Sequence, residues 1–389
     1  MTLHPSVPAG FTPRLAALYA AIFTLGGIQL PFFPLWLKAK GLDAQAIGLL
    51  LALPMVARVL VVPMIARQAD LRDGLRLLLA ACACATVAGY VLLGMAQGAA
   101  SIFIVFAIAS AAYTPVMPLT DAYALRGLAT LGRAYGPVRL WGSAAFIAGS
   151  FVAGRAADLL PDRDLIWLIA AAYVGVAAAT FLLAPLPPSP ATGPRSQPRK
   201  DLLRDPVYLA VLAAASLIQA SHAVYYSFST VAWSAIGLDG VAIAALWALG
   251  VVAEIALFAV SGRLPVRITP MVLLIAGATG SMLRWGAMAL DPPTALLPWL
   301  QLLHALSFAA THLGTLGLIA RRVPAGQGAR AQGYLAIALG LAMAAATSVS
   351  GLLFAAFGSG AYWAMALSAV AGGACALIAQ RLGRREAVA

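Results

Sequence analysis

The chain has 389 residues, of which 62% are apolar and 10% charged, with a mean hydropathy of +0.91. Values this far from soluble averages exclude a water-soluble globular domain and predict an integral membrane protein. The net charge of +12 would suit nucleic acid, but the basic residues lie in short connections and alternate in density from one connection to the next, so topology accounts for them and no nucleic-acid partner is expected.

Apolar runs long enough to cross a ~30 Å hydrocarbon core as helices fall near 15–37, 45–66, 75–96, 100–123, 136–157, 164–185, 207–234, 241–262, 268–289, 295–320, 330–354 and 361–380. An all-α integral membrane fold of twelve transmembrane helices follows. The first run is full length, carries Arg14 on its flank and lacks a convincing cleavage site, so it is expected to stay as a helix. Residues 186–206, LPPSPATGPRSQPRKDLLRDP, are rich in Pro, Ser and basic residues and form a linker. They divide the chain into a six-helix half, 1–185, and a second, 207–389.

One set of ends and connections holds Arg14, Arg67, Arg72, Arg76, Arg126, Arg133, Arg195, Arg199, Lys200, Arg204, Arg263, Arg267, Arg321, Arg322, Arg330, Arg381, Arg384 and Arg385, while the opposite set holds only Lys38, Lys40, Arg155 and Arg163. The positive-inside rule places both termini and the linker in the cytoplasm, with the protein multi-pass in the inner membrane. Trp36, Trp167, Trp233 and Trp299 fall near run ends, where interfacial anchoring is the default. Cys82, Cys84 and Cys375 lie within runs without zinc-type spacing, which leaves packing as their role and no metal site.

Charged and titratable residues inside such runs are expensive and mark a polar site. Arg58 stands near the middle of the second run, too deep to snorkel, and needs a carboxylate, a carbonyl or an anionic substrate. Asp121 ends the fourth run and Arg139 opens the fifth, so the turn between them predicts a pair, either substrate-binding or a plain interhelix salt bridge. His222 heads an aromatic group with Tyr225, Tyr226 and Phe228, a substrate-stacking pocket or simple packing. Glu254 is mid-helix and is the leading proton carrier, with a permanent bridge to Arg284 as the alternative. His304 can titrate or act only as an interhelix hydrogen-bonder, and His312 lies two turns further on, roughly on the same face. There is no Walker loop, zinc-ligand cluster or activated nucleophile, so no catalytic residue and no enzyme is expected.

Residues 66–76, ARQADLRDGLR, partly match the loop G-x-x-x-D-R-x-G-R-R of major facilitator transporters. Asp70 keeps its place, Leu71 replaces the Arg, and Gly74 comes one residue late, so Asp70, Arg72 and Gly74 are either a gating motif or a charged turn. A stronger resemblance lies in PFFPLWLKAKGL (31–42), IGLLLALPMVARVL (47–60), PVMPLTDAYAL (115–125), YGPVRLWGSAAF (135–146), SHAVYYSFSTVAW (221–233), LWALGVVAEIALF (246–258), LRWGAM (283–288) and QLLHALSFAATH (301–312). These segments resemble the phenylpropionate permease family of the major facilitator superfamily and, more distantly, lactose permease.

That resemblance implies a proton-coupled importer built from two halves related by an axis along the membrane normal. It implies a binding or gating role for Asp121 and Arg139, and places Arg284 and His304 together in the site. It also marks a departure, because the coupling acid three residues after that His is Ser307 here, which moves weight onto Glu254, His304 and Asp121. Three arginines, Arg58, Arg139 and Arg284, outnumber Asp121 and Glu254, leaving one positive charge for a small organic acid. The expected function is a monomeric proton:carboxylate symporter with the proton as its only cofactor and the lipid bilayer as its surroundings. A sugar, nucleoside or drug transporter, or a non-transporting receptor, is the alternative.

Overall fold

The computed structural model describes residues 10–72, 74–133, 135–186, 201–324 and 327–388, with backbone alone at 66–72, 135–137, 140 and 387–388. In lipid every backbone N–H and C=O must be satisfied inside the chain, so an apolar segment of this length folds as a helix. The first half comprises α1 (Phe11–Ala39), α2 (Ala44–Arg72), α3 (Leu75–Met95), α4 (Ala99–Thr130), α5 (Tyr135–Leu159) and α6 (Leu165–Phe181). The second comprises α7 (Pro206–Ala235), α8 (Gly240–Val260), α9 (Pro270–Met288), α10 (Thr294–Arg322), α11 (Gly328–Phe357) and α12 (Ala361–Val388). Among the described residues this makes twelve spans and an all-α membrane fold.

The described residues pack as two compact units, one of Met1–Arg195 with Thr230–Ala245 and one of Ser196–Ser229 with Leu246–Ala389. Residues 187–200 of the linker lie outside the described residues. α2 continues as helix through 66–72, where a charged turn was one expectation, and Gly74 is the N-cap of α3. The side chains of Asp70 and Arg72 lie outside the described residues.

Lipid gives little hydrophobic drive for helix association, so close backbone approach at small residues does the packing. A Cβ on Gly27 would collide with the Phe146 carbonyl and one on Gly149 with the Thr24 carbonyl, which fixes α1 against α5. In the second unit Gly314 lies against the Pro270 and Leu274 backbone, fixing α10 against α9. Trp167 and Trp299 are exposed, but Trp36 and Trp233 are buried, and Trp36 donates Nε1–H to the Arg163 carbonyl at 3.1 Å. Those two tryptophans pack inside the protein instead of anchoring it at an interface.

The two halves carry the same corner. GLDAQAI (41–47) joins α1 to α2 and GLDGVAI (237–243) joins α7 to α8. Gly41 and Gly237 take φ of 83° and 89°, the left-handed conformation that a helix C-terminus needs and that glycine adopts without steric cost. The next residue then reaches back across the last turn, Leu42 N–H to Leu37 O at 3.2 Å and Leu238 N–H to Trp233 O at 3.0 Å. The Asp caps the following helix, Asp43 accepting from Ala46 N and Asp239 from Ala242 N. Arg58 and Glu254 each lie seventeen residues beyond that glycine, the same register with opposite charge.

Among the described residues three spans are discontinuous. α4 breaks at Thr114–Pro115, α7 at Ser221–His222, and α10 passes through a π-helical segment, Ala305–Ala310. Breaks of this kind in membrane helices line binding cavities, and π segments concentrate at functional sites.

Candidate functional site

Two of these discontinuities bring one polar cluster together in the second unit. Arg284, on α9, is completely buried. Its Nη2 donates to Gln301 Oε1 at 2.6 Å, and its Nη1 donates to His304 Nδ1 at 2.9 Å and Ser307 Oγ at 3.3 Å. The guanidinium carbon lies 4.6 Å from the ring centres of Tyr225 and Trp285, within cation–π range. These hydrogen-bond partners are neutral groups, which satisfy geometry without neutralising the charge. Arg284 Nε and Gln301 Nε2 are buried N–H donors without an acceptor, a costly condition in a dry interior.

The hydrogen bonds assign the protons. A guanidinium only donates, so His304 Nδ1 accepts and the ring proton sits on Nε2, 3.7 Å from Glu254 Oε2. A carbonyl only accepts, so His222 Nδ1 donates to Gln219 O at 3.1 Å, and its Nε2 receives the Ser307 hydroxyl proton at 3.1 Å. Ser307, standing where the resemblance puts a coupling acid, therefore links Arg284 to His222. Glu254 and Arg284 do not form the permanent bridge that was one expectation: His304 stands between them, its Nδ1 toward Arg284 and its Nε2 toward Glu254, and its ring packs beside Gly250 of α8.

Aromatic rings enclose the cluster. Tyr225 lies 4.7 Å from Trp247 and 5.8 Å from Trp285, Tyr226 lies 6.0 Å from Trp247, and Trp285 stacks on Tyr362 at 5.7 Å. Trp285 Nε1 donates to Ser221 Oγ at 2.8 Å, tying α9 to the break in α7. Phe308 stacks between His304, at 5.3 Å, and the exposed His312, at 6.4 Å. Phe228 leaves this group and stacks on Phe354 at 4.5 Å. Gln301, Trp247, Trp285 and Tyr362 were not singled out from sequence, although Gln301, His304 and Ser307 recur every third residue, a one-face pattern of polar groups in an apolar run.

The first unit has a different polar centre, also missed from sequence. Gln29 donates to Tyr90 OH at 2.5 Å and accepts from Tyr173 OH at 2.7 Å, and the two phenol rings lie 4.1 Å apart. Tyr113, beside the break in α4, meets Tyr173 edge-on at 5.0 Å. Arg58 is exposed on α2, with Tyr113 as its electrostatic neighbour.

The expected pairing of Asp121 with Arg139 is not made. Asp121 Oδ1 accepts from Tyr19 OH at 2.6 Å, while the Arg139 guanidinium lies over the Phe23 ring at 4.9 Å with Nη1 unpartnered. Tyr19 and Phe23 are one turn apart on α1, and α1 takes up both groups where a short turn alone would predict direct contact. Among the described residues no group of His, Cys, Asp and Glu could hold a metal ion.

Residues 13–388 match the MFS_1 like family. The chain belongs to that family. This MFS_1-like chain is 35% identical over 379 residues to the "Probable 3-phenylpropionic acid transporter" of Escherichia coli (strain K12), covering 92% of this chain and 95% of that one. It is 30% identical to the maltose permease of Geobacillus stearothermophilus over 71% of this chain and 70% of that one. Among solved structures, a nucleoside transporter, NupG, superposes with a TM-score of 0.80 over 95% of this chain and 99% of its own, at 17% identity. A D-xylose-proton symporter superposes at 0.71 over 95% and 97%, at 14% identity, and at such identities the likeness is one of fold. The MFS_1-like chain is thus a multi-pass membrane transporter of the major facilitator superfamily, with a small-molecule substrate, and not an enzyme.

Proposed function

We propose that this transporter is a proton-coupled symporter importing a small aromatic carboxylate across the inner membrane, as a monomer with both termini in the cytoplasm and the proton as its coupling ion. The observation that carries the reading is the buried Arg284, flanked by neutral acceptors and aromatic rings, with Arg284 Nε and Gln301 Nε2 still lacking acceptors. A carboxylate supplies both the missing acceptors and the missing negative charge, and the neighbouring rings of Tyr225, Trp247 and Trp285 favour an aromatic substrate. The name of the Escherichia coli relative supports the same class.

Uptake of an anion into a negative interior is opposed by about 2.3 kcal/mol per 100 mV, and one co-transported proton makes the cycle electroneutral. Glu254 is the proposed proton carrier. His304 is the relay, because its Nδ1 answers to Arg284 and its Nε2 to Glu254, so substrate arriving at Arg284 is felt at the acid. Arg58 is assigned to substrate contact, and the cycle is alternating access between the two halves.

Proteoliposomes carrying the protein should accumulate labelled 3-phenylpropionate when the outside is acidified, and a protonophore should abolish accumulation. Uphill uptake that needs sodium and ignores the pH gradient refutes proton coupling. Uptake of maltose or a nucleoside, with no aromatic acid moved, refutes the substrate class.

A further inference from the structure

Each unit has a glutamine at its polar centre, and the two amides are used differently. Gln29 is engaged at both ends, donating to Tyr90 OH and accepting from Tyr173 OH. Gln301 is completely buried, yet only its oxygen is engaged, as the acceptor of Arg284 Nη2 at 2.6 Å, and its Nε2 meets no acceptor. A glutamine that served only to join α10 to α9 would turn its nitrogen toward an acceptor, because an unmatched buried N–H is costly.

The isostere that could stand at this position differs in charge, not in shape. Glutamate has the same length and would set a carboxylate on the same Nη2, in the stronger, charge-assisted form of the contact, and pairing with an acid is the common fate of an arginine inside a membrane bundle. The chain makes such pairs elsewhere, since Arg322, at the end of α10, takes both Asp205 at 2.7 Å and Glu386 at 2.5 Å. At 301 it carries the neutral isostere, and the other partners of the guanidinium, His304 Nδ1 and Ser307 Oγ, are neutral as well. Arg284 is thereby oriented without being cancelled. The two unmatched donors, Arg284 Nε and Gln301 Nε2, belong to the two groups joined by the 2.6 Å contact, which puts them within reach of one ligand head.

We propose that Gln301 sets the charge of the substrate: its oxygen holds Arg284 in place without neutralising it, and its Nε2 offers the ligand head a second donor, so that the site takes a carboxylate and rejects the neutral amide of the same shape. This role for Gln301 rests on the carboxylate reading of the site and names the residue that enforces it. An amide head brings an NH2 group against donors that cannot accept from it. A glutamate at 301 would neutralise Arg284 and replace the donor at Nε2 with an acceptor, which reverses the selection. Specificity is a difference between two affinities, and here one atom decides its sign.

The test is ligand-induced thermal stabilisation of the purified full chain at neutral pH, titrated with 3-phenylpropionate or with 3-phenylpropionamide, for the wild type, Gln301→Glu and Gln301→Met. The wild type binds the acid at least about thirtyfold more tightly than the amide, and in Gln301→Glu the order reverses. Gln301→Met keeps the length but neither hydrogen-bonding atom, so it binds the acid about tenfold more weakly and still prefers it to the amide, because Arg284 keeps its charge. A folded Gln301→Glu protein that prefers the acid as the wild type does overturns the proposal. So does wild-type affinity for the acid in Gln301→Met, a result that decides the matter even where the glutamate variant fails to fold. A wild-type protein that binds the amide as well as the acid, or binds neither, refutes the carboxylate reading itself and the role of Gln301 with it.

Discussion

The polar centres of the two halves differ in one respect that separates scaffold from site. In the first, Gln29, Tyr90 and Tyr173 bond only to neutral groups, and the Gln29 amide is engaged at both ends. In the second, Arg284 brings a full charge to a place of zero exposure, and two N–H donors stay unmatched. Both draw on corresponding helices, α1, α3 and α6 against α7, α9 and α12, with α4 and α10 contributing beside a break. A network that satisfies itself stabilises a bundle, whereas unmatched donors beside a buried charge are what a bound carboxylate would satisfy under the proposed function.

The sharpest way to break that contrast is Arg284→Lys, which keeps the charge and loses the planar fork. It should lower both uptake and counterflow in proteoliposomes at least about thirtyfold, the cost of spoiling a buried charged contact; wild-type rates would show that the fork is not used. Glu254→Gln comes next, mimicking a permanently protonated carrier. Counterflow should survive within a few-fold while uphill accumulation disappears, and full proton-driven accumulation would move the coupling role to His304 or Asp121. In the first half Gln29→Leu leaves two buried phenols short of a partner at about 1 kcal/mol each. The purified protein should melt a few degrees lower with an unchanged KM, and a KM shift would make that centre part of the site. Smallest of all, Gly41→Ala and Gly237→Ala should each cost about 1 kcal/mol through left-handed strain. Equal drops in melting temperature would mark the two corners as one device used twice, and unequal drops would not.

The membrane fold was legible because run length and composition are enough to specify helices in lipid. Arg284, His304 and Glu254 were legible as charges or titratable groups in apolar runs, since few structural roles tolerate them there. Gln29, Tyr90 and Tyr173 carry no charge, come from three distant segments and join only in space. Asp121 and Arg139 show the opposite failure: their spacing predicts adjacency, but says nothing of α1 placing Tyr19 and Phe23 against them. The π segment in α10 escaped because ALSFAA has the composition of ordinary helix, and only the identity of what packs around it decides its winding.

That segment also sets the phase of everything after it. A π turn accommodates one residue more than the α-helix would, and one residue corresponds to about 100° of rotation. The end of α10 that carries Arg321 and Arg322 is therefore turned relative to Gln301 and His304 by an angle that a straight helix would not give. Deleting one residue within Ala305–Ala310 would leave hydropathy and length almost untouched, yet would swing Arg322 away from Asp205 and Glu386 and put the helix's two ends out of step.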